Sequence, residues 1–237
     1  MAPKKASSKR DAAGGGESRR DRRKRETRER LLRAAMTLMS TRGREGISIN
    51  EITDAADVSF GSFYNYFESK DDIFNQLADE VVDAFGDALN AIAESTDDPA
   101  EILAASVRSV LLRAAADPVW GRFFIRFVVT AQLFLRKPGG YFLRDVQRGF
   151  DAGRFRAADP LMAITAVGGT IISAAVVAAE MPAGATLPAA GATPVHLDKV
   201  GLPERAATVI LQILGLGETE AAEVAHRPMP PTSPVVQ

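Results

Sequence analysis

A cluster of polar side chains occupies Tyr64, Asn65 and Tyr66, and a lysine follows at Lys70. Tyrosine hydroxyls and a lysine ammonium group can donate hydrogen bonds to phosphate oxygens. An asparagine amide can bond either an adenine edge or a phosphate. If 60–66 is a short helix, its alternating positions leave both tyrosines outside the apolar face. These groups predict contact with duplex DNA, with Tyr64, Asn65, Tyr66 and Lys70 as candidate contacts.

Four nearby residues complete the candidate DNA surface. Gly61 and Ser62 are small, and they would let a helix backbone come close to the base pairs of a major groove. Ser48, with the amides at the start of its helix, forms a natural phosphate site. Phe60 has two open interpretations. Its ring either touches thymine methyl groups or packs on the preceding helix.

The residues needed for most enzyme chemistry are scarce in this chain. It contains no cysteine and only two histidines, His196 and His226, both near proline-rich segments. Thiolate metal sites and cysteine nucleophiles are therefore excluded, and histidine triads are disfavoured. No phosphate-cradling loop or hydrolase motif is present either. We expect no enzyme activity, no metal and no cofactor.

The charge of the chain is divided unevenly. The net charge is −1, but residues 1–47 carry +9 and residues 48–237 carry −10. Such asymmetry suggests a basic end that meets a polyanion. Residues 1–25 have no large apolar side chain after Met1, which predicts a disordered basic arm. At its end, Arg22, Arg23 and Arg25 are predicted to contact DNA, either inside the minor groove or loosely on phosphates.

Local signals predict a helix-turn-helix after this arm. Apolar periodicity predicts a helix over 26–42, and Ser48 with Glu51 forms a capping box for a second helix that ends near Ala56. Asp57 suits the tight turn that follows. A short helix over 60–66 buries Phe63, and a long helix runs from 70 to about 93. Two short helices joined by a tight turn and braced by a third are typical of helix-turn-helix proteins.

The segment SINEITDAADVSFGSFYNYFESKDDIF resembles the N-terminal DNA-binding domain of the TetR family of regulators, over about residues 26–75. Thr53 replaces the family's usual alanine, and Asp57 replaces its turn glycine. The resemblance implies a dimeric transcriptional regulator, most often a repressor. The positions that match the family pattern are Ser48, Ile52, Ala56, Val58, Ser59, Gly61, Tyr64, Phe67 and Lys70.

The remaining sequence predicts an all-α body. Helices are expected over 99–116, 118–136, 141–152, 160–181 and 203–215, separated by proline and glycine punctuation. We predict a helix-turn-helix domain over 26–70 and a helical ligand-binding and dimerisation domain over 71–217. A long loop is predicted over 182–202 and a disordered tail over 218–237, and no segment has a strand pattern.

Large apolar side chains are concentrated between residues 119 and 142. Each could belong to an ordinary core, but as a set they could also line a cavity between helices for an apolar small-molecule effector. Most of the arginines in or near this segment are expected at the surface, but one that faces inward could pair with a ligand carboxylate. The five arginines are Arg113, Arg122, Arg126, Arg136 and Arg144. The candidate pocket residues are Trp120, Phe123, Phe124, Phe127, Phe134 and Tyr141.

Two of the predicted helices suit pairing between chains. Helix 160–181 is uncharged over 161–179 and rich in small residues, and helix 203–215 carries one apolar stripe. Helix 160–181 approaches the length of a membrane span, but it lacks nearby Lys or Arg anchors. We therefore expect it to be a buried helix and not a membrane span. We expect the protein to be cytoplasmic, bacterial and associated with the nucleoid. A two-fold dimer through both helices predicts a palindromic DNA site with recognition helices about 34 Å apart.

Two functional hypotheses remain at this point. One is a ligand-responsive regulator, in which an effector shifts the helices of the body and helix 71–93 transmits the shift to the DNA-binding domain. The alternative is an architectural DNA-binding protein, which would not need a large apolar body. A large preference for one palindrome over other DNA separates the two hypotheses.

Overall fold

The computed structural model describes residues 18–128, 138–187, 193 and 195–230. Predictions that fall elsewhere, including the arm over 1–17 and the pocket residue Phe134, lie outside the described residues. The helices of the N-terminal half are α1 (Arg19–Arg42), α2 (Ile49–Ala55), α3 (Phe60–Phe63), α4 (Lys70–Ala93), α5 (Pro99–Ala116) and α6 (Pro118–Phe123). Those that follow are α7 (Pro138–Asp151), α8 (Pro160–Glu180), α9 (Leu202–Ile213) and α10 (Glu218–Ala225). The chain is therefore all-α in class, as predicted.

Helices α1 to α4 enclose the core of the DNA-binding domain. Leu31 and Met39 of α1 are fully buried, as are Ile52 of α2, Phe63 of α3 and Ile73 of α4. These apolar residues recur at helical spacing, so each helix presents one stripe to the others. Burying side chains of this size stabilises the fold by about 2 kcal/mol each. The result is a three-helix unit to which the first turns of α4 are attached.

The N-terminal end of α1 corrects one prediction. The helix begins at Arg19 instead of residue 26, so the predicted disordered arm is wrong from that residue onward. Ser18 caps it by accepting a hydrogen bond from the Asp21 amide. Arg22 pairs with Glu26 at 2.9 Å. A salt bridge with this four-residue spacing stabilises a helix that the basic composition alone does not indicate.

One further prediction at the C-terminal end was wrong. Helix α10 occupies part of the predicted disordered tail, and it buries Ala221, Val224 and Ala225 against the body. The prolines in the second half of 218–237 led to the prediction of a disordered tail over that whole segment. Within the predicted loop over 182–202, two-residue strands β1 (Thr186–Leu187) and β2 (Val195–His196) form an antiparallel pair. Pairs this short give almost no alternation in sequence.

The body is organised around α5, which matches its predicted bounds and is buried along most of its length. Helices α8 and α9 pack against it and against each other. Helix α6 is shorter than the predicted 118–136 because a π-helical turn over Phe124–Val128 follows it directly. Helix α4 runs unbroken from the DNA-binding core into this body, so the two parts are mechanically connected.

An ionic cluster fastens α10 to the body. Asp98 caps the start of α5 and also accepts two hydrogen bonds from the Arg154 guanidinium, at 2.9 and 3.3 Å. Arg154 donates in addition to Glu220 of α10 at 2.6 Å. Arg227, just beyond α10, lies 3.4 Å from Asp98. One arginine therefore joins the beginning of α5 to the C-terminal helix.

Replacing Arg154 with methionine is expected to lower the free energy of unfolding by roughly 2 kcal/mol, because partly buried hydrogen bonds between charged groups are lost. Urea denaturation of the purified protein measures this change. Arg148→Met is the matched control, since Arg148 is more exposed and lies 4.0 Å from Asp145. The control should change stability by less than about 0.5 kcal/mol. Equal losses in both variants would contradict the role of the cluster.

The contribution of this cluster should also depend on pH. Burial raises the pKa of Asp98, but hydrogen bonds from Arg154 and from the Ala100 amide, with the nearby positive charges, hold it below its ordinary value. Because the folded pKa is depressed, ionised Asp98 stabilises the fold fully above the unfolded pKa of about 4. That stabilisation is lost as pH falls through the folded value. Wild type and R154M should therefore differ less at pH 3 than at pH 7.

Candidate DNA-binding site and body cavity

The start of α2 is fixed by the predicted capping box, which the structure confirms. The Ser48 hydroxyl accepts a hydrogen bond from the Glu51 amide, and the Ser48 amide donates to the Glu51 carboxylate at 2.8 Å. Arg42 at the end of α1 donates to the same carboxylate at 2.6 Å. Hydrogen bonds from Arg42 and then from Ser48 lower the pKa of Glu51 to about 2. The carboxylate therefore stays ionised and holds α1 against the start of α2.

The turn between α2 and α3 has the predicted geometry. Asp57 has a φ of 53°, and it is the one non-glycine residue with a positive φ among the described residues. The Val58 amide then donates to the Thr53 carbonyl at 3.0 Å, which closes the turn. Asp tolerates this left-handed conformation better than most residues. The turn therefore tolerates the replacement of glycine by Asp.

The outer face of α3 carries exposed aromatic rings. Phe60 is 49% exposed and Tyr64 is 51% exposed, and their rings meet edge to face with centroids 5.5 Å apart. Asn65 is also exposed. A Cβ atom added to Gly61 would meet nothing within 4 Å, so the backbone there is open to an approaching surface. Phe60 and Tyr64 therefore share one accessible face, and Gly61 and Asn65 are exposed next to them in the chain.

Other predicted DNA-binding residues have partners inside the domain. Tyr66 is half-buried and packs against the core of the DNA-binding domain. The prediction that it lies outside the Phe63 face is therefore wrong. The Lys70 ammonium donates to the Ile47 carbonyl at 3.2 Å. The Ser62 hydroxyl lies 2.7 Å from that of Ser59. Tyr66, Lys70 and Ser62 therefore make contacts that stabilise the DNA-binding domain itself.

The predicted arginines lie on the first turns of α1. Arg22 pairs with Glu26, Arg25 pairs with Glu29 at 3.0 Å, and Arg23 is exposed. Because this stretch is helical, its basic groups have a fixed spacing along the helix axis and do not belong to a flexible arm.

Among the described residues, no group of three acidic or histidine side chains is arranged to hold a metal ion.

A cavity of about 200 Å³ lies between α1, α4, α5 and α6. Trp120 is the one predicted pocket residue that lines it. Arg113 also lines it, and it is one of the five arginines named as possible partners of a ligand carboxylate. Sequence reasoning missed the remaining contributors, because they come from helices far apart in the chain. They include Met36, Leu77, Glu80, Phe85 and Val110.

The other predicted pocket residues support the wall or pack elsewhere. Phe124 stacks on Trp120, with ring centroids 5.0 Å apart. Phe123 and Phe127 contact Phe74 of α4, in the hydrophobic cluster that joins the DNA-binding helices to α5 and α6. Tyr141 of α7 lies against Gly86 of α4. The predicted aromatic set therefore connects the two domains and does not surround one space.

An apolar face on α8 and α9 lies open in the single chain. Only five of the 21 residues of α8 are buried. Leu161 is 72% exposed, and Val209 of α9 is 45% exposed. Ala206, Val209 and small residues of α8, including Gly169, line a shallow groove between the two helices. By length and composition alone, α8 is also the one helix in the described part of the chain that could cross a membrane.

Comparison with known proteins decides the family. Residues 31–77 match the family model described as bacterial regulatory proteins of the tetR family. Residues 98–227 match the model described as the tetracyclin repressor-like C-terminal domain. The chain belongs to the TetR family. It is therefore a DNA-binding transcriptional regulator of the helix-turn-helix class, as the sequence resemblance implied.

Individual TetR-family relatives match it over different lengths. The transcriptional regulator TcmR of Streptomyces glaucescens is 27% identical over 124 residues, which are 52% of this chain and 54% of that protein. The repressor DhaR of Mycobacterium sp. (strain GP1) is 35% identical over 71 residues, 30% of this chain and 34% of that protein. The chain thus spans about half or less of these curated relatives.

One solved structure covers nearly the whole chain. The crystal structure of RolR in complex with the ligand resorcinol is 31% identical, covers 88% of this chain and 97% of that chain, and superposes with a TM-score of 0.61. The likeness thus extends through the body as well as the DNA-binding domain.

Proposed function

We propose that this protein is a ligand-responsive transcriptional repressor that binds a palindromic operator as a homodimer and is released by an apolar small molecule. The observation that carries the proposal is the open face of α3, where Phe60 and Tyr64 project beside Gly61 in a TetR-family fold. A repressor of this kind acts in the cytoplasm, on the nucleoid.

Each residue of the open face has a role in this proposal. The Tyr64 hydroxyl bonds a phosphate, Asn65 bonds a base edge or a phosphate, and Phe60 touches thymine methyl groups. Ser48, whose amide and hydroxyl are held by Glu51, fixes the start of α2, and the first amides of that helix meet a second phosphate. Arg22, Arg23 and Arg25 at the start of α1 add electrostatic attraction that falls as salt rises.

The apolar face on α8 and α9 supports dimer formation. The exposed side chains of Leu161 and Val209 continue an apolar surface across both helices, and small residues in α8 allow close helix approach. Two copies of these helices make a four-helix interface about a two-fold axis. That symmetry sets the two recognition helices about one DNA turn apart, roughly 34 Å, and requires a palindromic site.

The effector acts through α4 in this proposal. That helix begins in the DNA-binding core with Ile73 and ends in the body with Ile92, both of them buried. A ligand that fits one arrangement of the body better than another shifts the population of dimer spacings, only to the extent of its differential affinity. RolR, which was crystallised with resorcinol, supports an effector of similar size.

Selection of DNA fragments by the purified full-length protein tests the proposed function. We expect recovery of an inverted repeat, bound at least a thousandfold more tightly than random DNA in a mobility-shift assay at physiological salt. Fragments recovered without a common inverted repeat, or equal affinity for random DNA, would favour an architectural protein and contradict the proposal.

A further inference from the structure

We infer that the cavity between α1, α4, α5 and α6 binds a single-ring aromatic carboxylate, whose acidic group pairs with Arg113. This inference rests on the proposed function, because it names the chemical class of the effector and the place where it acts. It differs from a purely apolar effector in requiring a negative charge. Four observations carry it: an unpartnered donor, the charge balance, the volume of the cavity and the contacts of its walls.

The unpartnered donor is the Nε atom of Arg113. It is buried and has no hydrogen-bond partner among the residues that the structure describes. Buried donors in native proteins are nearly always satisfied by protein, water or ligand. The guanidinium lies over the Trp120 ring, 4.9 Å from its centroid, and both side chains line the cavity. The Nε atom itself is closed off from solvent, so a ligand in the cavity would reach this guanidinium through its terminal nitrogens.

The balance of charge on the cavity walls favours an anion. Two charged residues line it, Glu80 and Arg113. Glu80 already pairs with Arg28 of α1, with a separation of 2.8 Å. The Nε atom of Arg113, by contrast, has no hydrogen-bond partner among the described residues. A carboxylate is the group that an arginine fork binds best, through charge-assisted hydrogen bonds.

The size and lining of the cavity limit the rest of the ligand. Its volume of about 200 Å³ is somewhat larger than the roughly 150 Å³ engineered cavity that holds one benzene molecule. Phe85 and Trp120 offer aromatic surfaces, and Leu77, Val81 and Leu89 offer aliphatic ones. A single aromatic ring with one short acidic group matches this space, and a long acyl chain does not.

The walls of the cavity connect it to the DNA-binding domain. Met36 on α1 forms part of the lining, so a ligand there touches the domain that holds α3. Glu80 pairs with Arg28 of α1. The Arg28 guanidinium also lies 5.8 Å from the centroid of the Phe67 ring, which follows α3 in the chain. Filling the cavity therefore acts on α1 directly, as well as through α4.

Binding can be measured by the fluorescence of Trp120, which is the only tryptophan in the chain. The full-length protein is titrated with benzoate and phenylacetate, and with benzamide as the neutral molecule of matched shape. Isothermal titration calorimetry provides a second readout that does not depend on the indole. We expect saturable binding of at least one carboxylate, and at least tenfold weaker binding of benzamide. Absence of saturable binding by both carboxylates would leave water as the occupant and overturn the inference.

Two arginine variants and one control locate the acidic group. Arg113→Met should weaken binding of the carboxylate at least tenfold, and Arg113→Lys, which keeps the charge but not the fork, should weaken it less. Arg122→Met is the matched control, because Arg122 also has a buried Nε atom without a partner in the described structure but does not line the cavity. Unchanged affinity in folded R113M and R113K, or equal losses in R122M, would contradict the site.

The same proteins separate failure of this inference from failure of the proposed function. If the carboxylate binds at Arg113 and lowers the affinity of the protein for its selected DNA, the inference and ligand-responsive repression both stand, and the effector carries a charge instead of being purely apolar. If it binds with those specificities but leaves DNA affinity unchanged, the site stands and ligand-responsive repression fails. If neither carboxylate binds while the protein still selects a palindrome, the inference fails and DNA recognition stands.

Discussion

Replacing Tyr64 with alanine is expected to lower operator affinity about a hundredfold. Half of this side chain is exposed on the open face of α3, and its hydroxyl is proposed to bond a DNA phosphate. A hydrogen bond to a charged group contributes about 1.5 kcal/mol. A dimer makes the contact twice, so the loss is about 3 kcal/mol, which corresponds to two orders of magnitude in the dissociation constant. A mobility-shift titration at fixed salt measures it.

A second variant separates the hydroxyl from the ring. Tyr64→Phe keeps the edge-to-face contacts with Phe60 and Phe63 and removes only the hydroxyl. It should retain wild-type stability and lose most of the operator affinity that the alanine variant loses. Tyr66→Phe is the control, because Tyr66 is half-buried against the core. Wild-type operator affinity in folded Y64A would rule out the proposed recognition surface.

Much of the DNA-binding domain could be predicted because its signals are local. Ser48 and Glu51 stand three residues apart, as a capping box requires, and Asp57 falls where the chain needs a left-handed residue. Such features depend on a few neighbouring residues and hardly at all on tertiary context. The buried position of Phe63 follows from helical spacing in the same way.

Predictions that needed more than local spacing were less accurate. Tyr66 was placed by extending the helical pattern of α3, but α3 ends at Phe63, and the following turn directs Tyr66 toward the core. The carbonyl that Lys70 contacts belongs to Ile47, 23 residues earlier, and no spacing rule indicates that partner. Nonlocal contacts of this kind decide which candidate side chains stay free for a ligand.

The cavity shows the same limitation on a larger scale. Its walls come from α1, α4, α5 and α6, and only the packing of these helices brings Met36 close to Arg113. The sequence analysis found the aromatic segment around Trp120 and named Arg113 as one possible partner of a ligand carboxylate. It could not tell which of several arginines faces inward, because that depends on how helices from both domains meet.

The composition of helix α8 fits two interpretations, a membrane span and a helix that packs in the body. Its length and hydropathy would suit a membrane span, yet Ala163, Val167 and Ala175 pack against the body in the single chain. The remaining face is apolar and open beside Val209 of α9. A covering by a second copy of the same two helices accounts for both faces, since a helix that is apolar all round is normally covered on every side.

Replacing Val209 with glutamate is therefore expected to convert the proposed dimer into a monomer and to reduce operator affinity at least a hundredfold. The side chain is 45% exposed in the single chain and lies in the groove between α8 and α9. In a two-fold interface the variant buries two carboxylates against the small side chains of α8, which is unfavourable without partners. Arg205 also lines the groove, but its guanidinium already donates to the carbonyls of Asp198 and Val200. A monomer engages one half-site, so it loses the avidity of paired binding, about 10² or more. Analytical ultracentrifugation and mobility shift measure the two effects.

Thr219→Glu is the matched control for the added charge. Thr219 is exposed on α10, outside the groove between α8 and α9, and a glutamate in the first turn of a helix is favourable. This variant should remain dimeric and bind the operator as the wild type does. If V209E sediments as a dimer and keeps its affinity, the interface lies elsewhere on the body. If V209E instead becomes monomeric and still binds the full palindrome with wild-type affinity, binding of both half-sites by one dimer does not produce the operator affinity. In that case, the proposed geometry of recognition is wrong.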